Sequence, residues 1–327
     1  MKRENPETST RHDRILSFSI LSNPLLSAVP ELPEVEVLVR HLRPLLQGKI
    51  IRGVQVRRER VLGRTSARQL GRTLRNARFL QLSRRGKFLL FTLCKRARAH
   101  TVLLVGHLGM TGRMYLLPDG APLPKHSAIV LDLGVEKFVF EDTRYFGRFT
   151  LETHGIERLG PEPLSPEFTT DVFAKALKAS RQAIKIKLLD QSLVAGIGNI
   201  YASEALFRAG ISPRLAARKL RREQVLRLWQ AIREVLTEAI ECGSTVSLNH
   251  ARAEERDGFF YFGRASLAEN SYQERLRVYD RWREPCFVCG TAIRRYVQAA
   301  RSTFYCPRCQ SSRRFARQSS NLVLKSV

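Results

Sequence analysis

The chain has 327 residues, and 56 lysines and arginines against 30 aspartates and glutamates give it a formal net charge of +26. A hydrophobic content of 43% is ordinary for a globular protein, and the sequence lacks the roughly 18 consecutive apolar residues that a transmembrane helix requires. Because the basic residues are spread among apolar segments, the charge favours a folded protein that binds nucleic acid, with high solubility as the alternative explanation.

Residues 1–29 are polar and then weakly apolar, and the pattern changes at Pro30. Beyond it, apolar residues recur at helical spacing and predict a helix that begins near Pro33. These residues are Val35, Val37, Leu38, Leu42 and Leu45. The first 29 residues carry no convincing secretory signal, since Ser, Asn and Pro interrupt their apolar run.

Short β-rich runs follow one another between residues 50 and 150, among them KFLLFTL, TVLLVGHLG and KFVFED. Several short strands at hairpin spacing are typical of an antiparallel sandwich or barrel. We therefore predict an N-terminal antiparallel β-sandwich domain over residues 30–155.

Residues 167–243 change to helical periodicity, and this region contains the segment LLDQSLVAGIGNIYASEALFRAG. There a helix ends, a glycine-rich turn follows, and a second helix begins at Asn199. Backbone N–H groups at a helix N-terminus are natural phosphate ligands, and Asn199 is a candidate both to cap the helix and to donate to a phosphate. We interpret the segment as a helix–turn–helix-like DNA clamp. A dinucleotide-binding loop is disfavoured because no βαβ unit surrounds the glycines.

Four of the six cysteines form two CxxC pairs, Cys286 with Cys289 and Cys306 with Cys309, and sixteen residues separate the pairs. This spacing suits four thiolates around one zinc ion, whereas two disulfides would require an oxidising compartment. We predict one structural zinc ion in a finger over residues 283–310, with a basic hairpin that touches DNA. The polar residues 244–282 are expected to form a long loop, and the Ser- and Arg-rich residues 311–327 a disordered tail.

Seven motifs occur in the order in which they occur in formamidopyrimidine-DNA glycosylases. They are PELPEVE (30–36), GKFLL (86–90), HLGMTGR (107–113), DTRYFG (142–147), LGPEPLS (159–165), GIGNIYASEALF (196–207) and ARSTFYCPRCQ (300–310). Over roughly residues 30–310 the chain resembles this family. The resemblance implies an α+β protein with a β-sandwich, a helix–two-turns–helix domain and a four-cysteine zinc hairpin, which agrees with the element pattern above.

The resemblance also implies an activity and a catalytic set. A secondary amine that attacks a sugar C1′ forms a Schiff base whose iminium is permanently charged, and Pro30 matches the N-terminal proline that supplies this amine. Glu31 matches the carboxylate that moves protons at the opening sugar, and Lys87 the lysine that assists strand cleavage. Arg301 matches the finger arginine that holds phosphates. We expect excision of oxidised purines, 8-oxoguanine and formamidopyrimidines, followed by β,δ-elimination at the abasic site.

A DNA-binding set follows from the same motifs. A base must leave the stack before it is attacked, and Met110, Arg144 and Phe146 match the trio that fills the gap it leaves. The residues that match phosphate-contacting positions are His126, Asn199 and Lys185, with Arg181 as a weaker candidate. Glu34 and Glu204 match carboxylates near the lesion pocket.

Three departures from the family pattern stand out. Tyr145 occupies a position where arginine is common, and residues 244–282 differ from the usual lesion-capping loop. In addition, 29 residues precede Pro30, so that its nitrogen is a tertiary amide without an available lone pair. We expect residues 1–29 to be absent from the mature protein, through initiation at Val29 from a GUG codon and removal of the resulting Met.

Two other function classes fit the sequence. An endonuclease VIII-like glycosylase would act on oxidised pyrimidines, although that sister family usually begins with Pro-Glu-Gly-Pro, and Leu32 points to the purine branch. A non-catalytic damage-binding protein would result if the extension were retained. The expected partner is double-stranded DNA containing oxidised bases, and we expect a monomer in the bacterial cytoplasm that uses no membrane.

Overall fold

A computed structural model describes residues 30–95, 98–243 and 275–311. The predictions made for residues 1–29, for most of the 244–282 loop and for residues 312–327 lie outside these ranges. In the part of the chain that is described, no helix combines the length and the apolar character needed to cross a membrane.

Two four-stranded antiparallel sheets form the N-terminal half. The strands are β1 (Gly53–Val56), β2 (Ala77–Arg85), β3 (Phe88–Lys95), β4 (Arg98–His107), β5 (Gly112–Pro118), β6 (Ser127–Asp132), β7 (Glu136–Asp142) and β8 (Arg148–Thr150). One sheet has the order β1-β6-β7-β5, and the other has the order β2-β3-β4-β8. The predicted antiparallel sandwich is confirmed.

Phenylalanine rings join the two sheets. Phe91 on one sheet and Phe138 on the other have ring centroids 5.8 Å apart, and Phe149 packs against both. All three side chains are fully buried. Because apolar residues alternate along each strand, one face of each sheet is buried in this core.

Among the described residues, one helix precedes the sandwich and six more lie within or after it. The helices are α1 (Leu32–Leu46), α2 (Ala67–Leu74), α3 (His154–Glu157), α4 (Thr170–Lys178), α5 (Ile184–Leu188), α6 (Asn199–Arg208) and α7 (Arg222–Glu241). A second hydrophobic core lies among α4, α5, α6 and α7 and includes Leu32 and Tyr201. The predicted helical region is confirmed.

A two-stranded hairpin completes the described structure. β9 (Arg294–Gln298) pairs with β10 (Arg301–Tyr305), as the sequence between the cysteine pairs predicts. The two residues of the turn, Ala299 and Ala300, have positive φ angles of 47° and 57°. Such angles suit the two-residue turns whose twist matches that of paired strands.

Several local predictions were wrong. Leu45 is 39% exposed, and Leu46 is buried in its place, because Leu46 follows the buried Leu42 by four residues on the same face of the helix. The region predicted as strands also contains α2 and a 3-10 turn over Glu59–Leu62. Both are too short to produce a clear helical period.

Candidate active site and DNA-binding surface

Glu31 lies at the junction between α1 and α6. At the start of α1 it forms a capping box with Glu34, whose carboxylate accepts the Glu31 N–H at 2.8 Å. Its own carboxylate accepts backbone N–H groups at the start of α6, from Gly198 at 2.7 Å and Ile200 at 2.9 Å. A carboxylate at a helix N-terminus is stabilised by the helix dipole and by these donors.

This arrangement corrects two predictions about the start of α6. The amide groups that we expected to bind a DNA phosphate bind the Glu31 carboxylate instead. The N-cap residue is Gly198 rather than Asn199, and Asn199 is the first helical residue. The anion that this helix terminus holds is therefore part of the protein.

Lys87 lies opposite Glu31, and Gly198 separates the two. A Cβ atom added at Gly198 would lie 2.3 Å from Glu31 Cδ and 2.6 Å from Lys87 Nζ, so both functional groups touch the space that a side chain would need. Burial raises the pKa of Glu31 to about 7, with Lys87 opposing the shift. Burial also lowers the pKa of Lys87, although Glu31 opposes that change.

The turn that carries Lys87 is held by Glu162. Gly86 and Lys87 connect β2 to β3, and the Glu162 carboxylate accepts the Gly86 N–H at 2.5 Å. The same carboxylate pairs with Arg84 at 2.8 Å and Arg85 at 3.0 Å. Sequence reasoning missed this anchor, although Glu162 lies within one of the seven motifs.

An open cavity adjoins Lys87 and has a volume of about 340 Å³. His107 lines it and lies with its ring centroid 4.8 Å from that of Phe88. Burial, together with the nearby positive charges of Lys87 and Arg148, lowers the pKa of His107 to about 4. The imidazole is therefore neutral at pH 7. Its Nδ1 accepts the Gly109 N–H at 3.0 Å, so Nε2 carries the proton and is the hydrogen-bond donor of the ring.

The zinc hairpin reaches this site through two of the predicted DNA-binding residues. Lys185 is fully buried and donates from Nζ to the Ser302 carbonyl at 2.9 Å and to Thr303 Oγ1 at 2.8 Å. Asn199 Nδ2 donates to the same carbonyl at 3.0 Å. These contacts fasten β10 to α5 and α6 and hold the exposed Arg301 near Lys185 and Lys87. Burial and, to a smaller extent, the positive charge of Arg301 lower the pKa of both lysines, that of Lys185 to about 7.

Glu204 has a defined partner that the sequence did not reveal. Its buried carboxylate accepts three consecutive backbone N–H groups, from Arg277 at 2.9 Å, Val278 at 3.0 Å and Tyr279 at 2.8 Å. Burial raises the pKa of this carboxyl group. Glu204 thus ties α6 to the segment that leads into the zinc finger.

The expected gap-filling trio is brought together at one edge of the sandwich. Arg144 Nη1 lies 3.7 Å from Met110 Sδ, and Phe146 is 50% exposed. Asp142 organises the loop, since its buried carboxylate accepts the N–H groups of Arg144 at 3.1 Å and Gly147 at 2.8 Å. We call residues 144–146 and Met110 the wedge.

The two remaining predicted phosphate contacts differ in their surroundings. His126 lies beside the wedge, with Nδ1 3.4 Å from the Tyr145 hydroxyl. Arg181 is exposed in the connection between α4 and α5. Within the described residues, its guanidinium makes no hydrogen bond or ion pair.

The four predicted metal ligands form one cluster. The Sγ atoms of Cys286, Cys289, Cys306 and Cys309 all lie within 4.8 Å of one another; those of Cys289 and Cys306 are 3.4 Å apart and those of Cys286 and Cys309 are 3.9 Å apart. Four thiolates at about 2.3 Å from a central zinc ion have separations of this size. The donor set and its geometry therefore fit zinc.

Comparison with known protein families gives three matches along the chain. The N-terminal domain of formamidopyrimidine-DNA glycosylase matches residues 29–149, and the H2TH domain of the same glycosylase matches residues 159–250. A zinc finger found in FPG and IleRS matches residues 283–311. The three matches occupy the sandwich, the helical region and the cysteine cluster.

Whole proteins are similar over the same part of the chain. The formamidopyrimidine-DNA glycosylase of Carboxydothermus hydrogenoformans is 39% identical over 282 residues, which is 86% of this chain and 100% of the relative. That of Thermus thermophilus is 43% identical over 289 residues, 86% of this chain and 98% of the relative.

Solved structures agree with this assignment. The Lactococcus lactis Fpg protein in complex with abasic-site DNA has a TM-score of 0.75 and 31% identity, and it covers 86% of this chain and 100% of that one. The Thermus thermophilus MutM (Fpg) protein has a TM-score of 0.71 and 41% identity, and the similarity covers 86% of this chain and 98% of that one.

Proposed function

The chain belongs to the formamidopyrimidine-DNA glycosylase family of DNA-repair enzymes, and we propose that it excises oxidised purines from duplex DNA and then cleaves the abasic site. The substrate bases are 8-oxoguanine and formamidopyrimidines. The observation that carries the proposal is the meeting of Glu31 and Lys87 across Gly198, with Arg301 held beside them.

The reaction begins with a nucleophilic amine. The Pro30 nitrogen attacks C1′ of the damaged nucleotide, the N-glycosidic bond breaks, and the base departs with the bonding electron pair. The C1′–O4′ bond then breaks as O4′ takes up a proton, and the nitrogen lone pair forms the iminium. The iminium draws electrons from the sugar, so that loss of a proton from C2′ expels the 3′ phosphate. A second elimination expels the 5′ phosphate.

Glu31 and Lys87 divide the proton transfers. A carboxyl group with a pKa near 7 exists in both protonation states at neutral pH, which suits a group that donates a proton to the opening sugar and later accepts one. The lowered pKa of Lys87 makes its neutral amine more available as a base during elimination. Arg301 binds the phosphate that leaves.

This mechanism requires that Pro30 have a free amine. A peptide-bonded proline nitrogen has no available lone pair, whereas an α-amino group has a pKa near 8 and is partly neutral at pH 7. We propose that the active form begins at Pro30, and residues 1–29 are absent from it.

The zinc finger has a structural role. One zinc ion, bound by the four cysteine thiolates, would hold the hairpin that carries Arg301. Structural zinc supplies folding free energy to small domains of this kind.

We further propose that the protein acts as a monomer in the bacterial cytoplasm.

A lesion panel tests the substrate assignment. Excision is measured under single-turnover conditions on duplexes that carry 8-oxoguanine, a formamidopyrimidine or thymine glycol, with the form that begins at Pro30. Faster excision of the two purine lesions supports the proposal. Preference for thymine glycol would assign the protein to the endonuclease VIII-like class, and binding without excision would make it a damage-binding protein.

A further inference from the structure

The hairpin that carries Arg301 is short and has a strained turn. β9 and β10 have five residues each, and a two-stranded hairpin is only marginally stable by itself in water. The turn residues Ala299 and Ala300 both adopt the left-handed conformation that alanine disfavours. Arg301 follows this turn directly. Its position therefore depends on the contacts that hold the hairpin from outside.

One face of the hairpin contains Arg301 and lies against the helical region. Arg301 is paired with Gln298. Two residues further along β10, Thr303 is paired with Tyr296. Because directly opposite residues share a face and side chains alternate along a strand, all four residues lie on the same face. The contact of Lys185 with Thr303 shows that this face is the one that meets α5.

Arg214 contacts the same face through two tyrosines. Its guanidinium carbon Cζ lies 4.1 Å from the centre of the Tyr296 ring and 5.9 Å from the centre of the Tyr305 ring. The two rings meet edge to face, with their centroids 5.5 Å apart. A guanidinium at this distance from a tyrosine ring makes a cation–π contact. Arg214 therefore supports both strands of the hairpin.

The contact extends from Tyr296 toward Arg301. The Tyr296 hydroxyl donates to Gln298 Oε1 at 3.0 Å, and Gln298 is the residue directly opposite Arg301. The stacked ring thus orders the side chain beside the arginine as well as the strand. None of the seven sequence motifs contains Arg214 or Tyr296.

The segment that carries Arg214 is itself fixed to α5. It lies in the connection between α6 and α7, where the Leu215 carbonyl accepts the Ile184 N–H at 2.7 Å. The Pro213 carbonyl accepts the Lys185 N–H at 3.4 Å. Arg214 and Lys185 therefore extend from adjacent backbone segments, and their side chains hold one face of the hairpin together.

A buried glutamine ties the base of the hairpin to the same connection. Gln310 Oε1 accepts the Cys306 N–H at 2.8 Å, and Gln310 Nε2 donates to the Ile211 carbonyl at 2.9 Å. The hairpin is thus fixed at the cysteine cluster, while Lys185 fastens β10 and Arg214 stacks on β9. Loss of the stack would leave the hairpin free to tilt about its base, and the largest displacement would be at the turn beside Arg301.

We propose that Arg214 is a positioning residue for Arg301 and thereby controls the second elimination. By stacking on Tyr296, it holds the hairpin so that Arg301 meets the phosphate that this step expels. The proposal rests on the proposed function, since it takes Arg301 to bind the leaving phosphate.

The chemistry of the step explains why the position of Arg301 matters. Lys87, the proposed base, takes a proton from C4′, a double bond forms between C4′ and C5′, and the C5′–O5′ bond breaks. The phosphate departs with the bonding electron pair, so negative charge develops on its oxygens. A guanidinium already in place stabilises that charge, whereas a displaced one does not.

The distribution of cleavage products tests the proposal. An excess of the form that begins at Pro30 is incubated with a duplex that holds a preformed abasic site in a 5′-labelled strand, so that base excision is not required. The first elimination leaves an unsaturated aldehyde at the 3′ end of the labelled fragment, and the second leaves a 3′ phosphate. The variants are R214K and Y296L, which keep the net charge. R218K is the matched control, because Arg218 is an exposed arginine of the same connection.

Loss of the stack has a distinct signature. Lysine keeps the charge of arginine but lacks the planar group that stacks on a ring. R214K and Y296L should therefore slow the second elimination about tenfold, which is within the range of a cation–π contact, and change the first less than about twofold. R301Q should slow the second elimination at least as much, and R214K should add less than a factor of about two to R301Q, because both act through one group. R218K should change neither rate more than about twofold.

Hydrogen exchange gives a readout that needs no catalysis. The backbone amides of residues 294–305 should exchange about tenfold faster in R214K and Y296L than in R218K. The zinc content and the melting temperature should stay the same, which separates a tilted hairpin from an unfolded finger.

Three results would count against the proposal in different ways. A product ratio for R214K equal to that of R218K would overturn it. Weaker DNA binding by R214K with an unchanged product ratio would make Arg214 a DNA contact instead. If the wild-type protein performs no elimination, the proposed function is refuted; faster exchange in R214K would then still support a hairpin held by Arg214, and equal exchange would refute that as well.

Discussion

Substituting Gly198 by alanine should abolish most of the activity without unfolding the protein. The backbone of Gly198 has φ −130° and ψ −154°, an extended conformation that alanine can adopt. The added Cβ would nevertheless lie 2.3 Å from Glu31 Cδ and 2.6 Å from Lys87 Nζ. The substitution therefore acts on the two proposed catalytic groups, Glu31 and Lys87, through contact alone.

The size of the effect follows from these distances. Carbon atoms that are not bonded approach to about 3.5–4.0 Å, so Glu31 or the start of α6 must move by more than about 1 Å. A misplacement of about 1 Å at a reacting group costs roughly 100-fold in rate. We expect a single-turnover excision rate about 100-fold below that of the wild type, whereas affinity for an abasic-analogue duplex changes little.

Gly71→Ala provides the matched control. Gly71 lies inside α2, and a Cβ added there meets no atom within 4 Å. Alanine in a helix interior is favoured over glycine by about 0.5–1 kcal/mol, so this variant should be slightly more stable and fully active. If G198A retains its fold and excises within about threefold of the wild type, the close placement of Glu31 and Lys87 is not required, and our assignment of the site is wrong.

Three further predictions use other parts of the structure. Because burial raises the pKa of Glu31 to about 7, its carboxyl group is protonated below that pH, whereas the free Pro30 amine becomes neutral as the pH rises toward about 8. The single-turnover excision rate should therefore be bell-shaped and should fall about tenfold per pH unit above about pH 8; a rate that does not fall above about pH 8 would contradict proton donation by Glu31. Cys289→Ser removes one of the four clustered thiolates, so the zinc content, the melting temperature and the DNA affinity should all decrease. Treatment of the wild-type protein with a chelator should have the same effects. An unchanged melting temperature would refute a structural metal. Phe149→Ala removes a fully buried ring that contacts three other phenylalanines. Urea denaturation should show that the free energy of unfolding falls by about 3–5 kcal/mol. A loss below about 1 kcal/mol would contradict this packing.

Element types were largely predictable from the sequence because burial leaves a periodic pattern. The alternating strands and the long amphipathic helix α7 appear where they were expected, as does the hairpin between the cysteine pairs. The helix α2 was missed because it has only 8 residues and contains Gly71. Ser66, which caps it through a hydrogen bond to the Gln69 N–H, was the available signal.

The motifs indicate a set of candidate functional groups, but they do not indicate the contacts of these groups. The motifs single out Glu31 and Lys87, yet nothing in the spacing shows that Glu31 occupies the start of a helix 167 residues further along the chain. The sequence of a helix terminus does not indicate whether its backbone amide groups bind a DNA phosphate or a carboxylate of the protein itself.

Borohydride trapping tests the central claim most directly. The form that begins at Pro30 and the intact 327-residue chain are each incubated with an 8-oxoguanine:cytosine duplex and borohydride, and the modified peptide is identified by mass spectrometry. We predict a covalent adduct at the Pro30 nitrogen in the first form and none in the intact chain. An adduct on Lys87, or equal trapping by the intact chain, would show that another amine is the nucleophile and would contradict the mechanism.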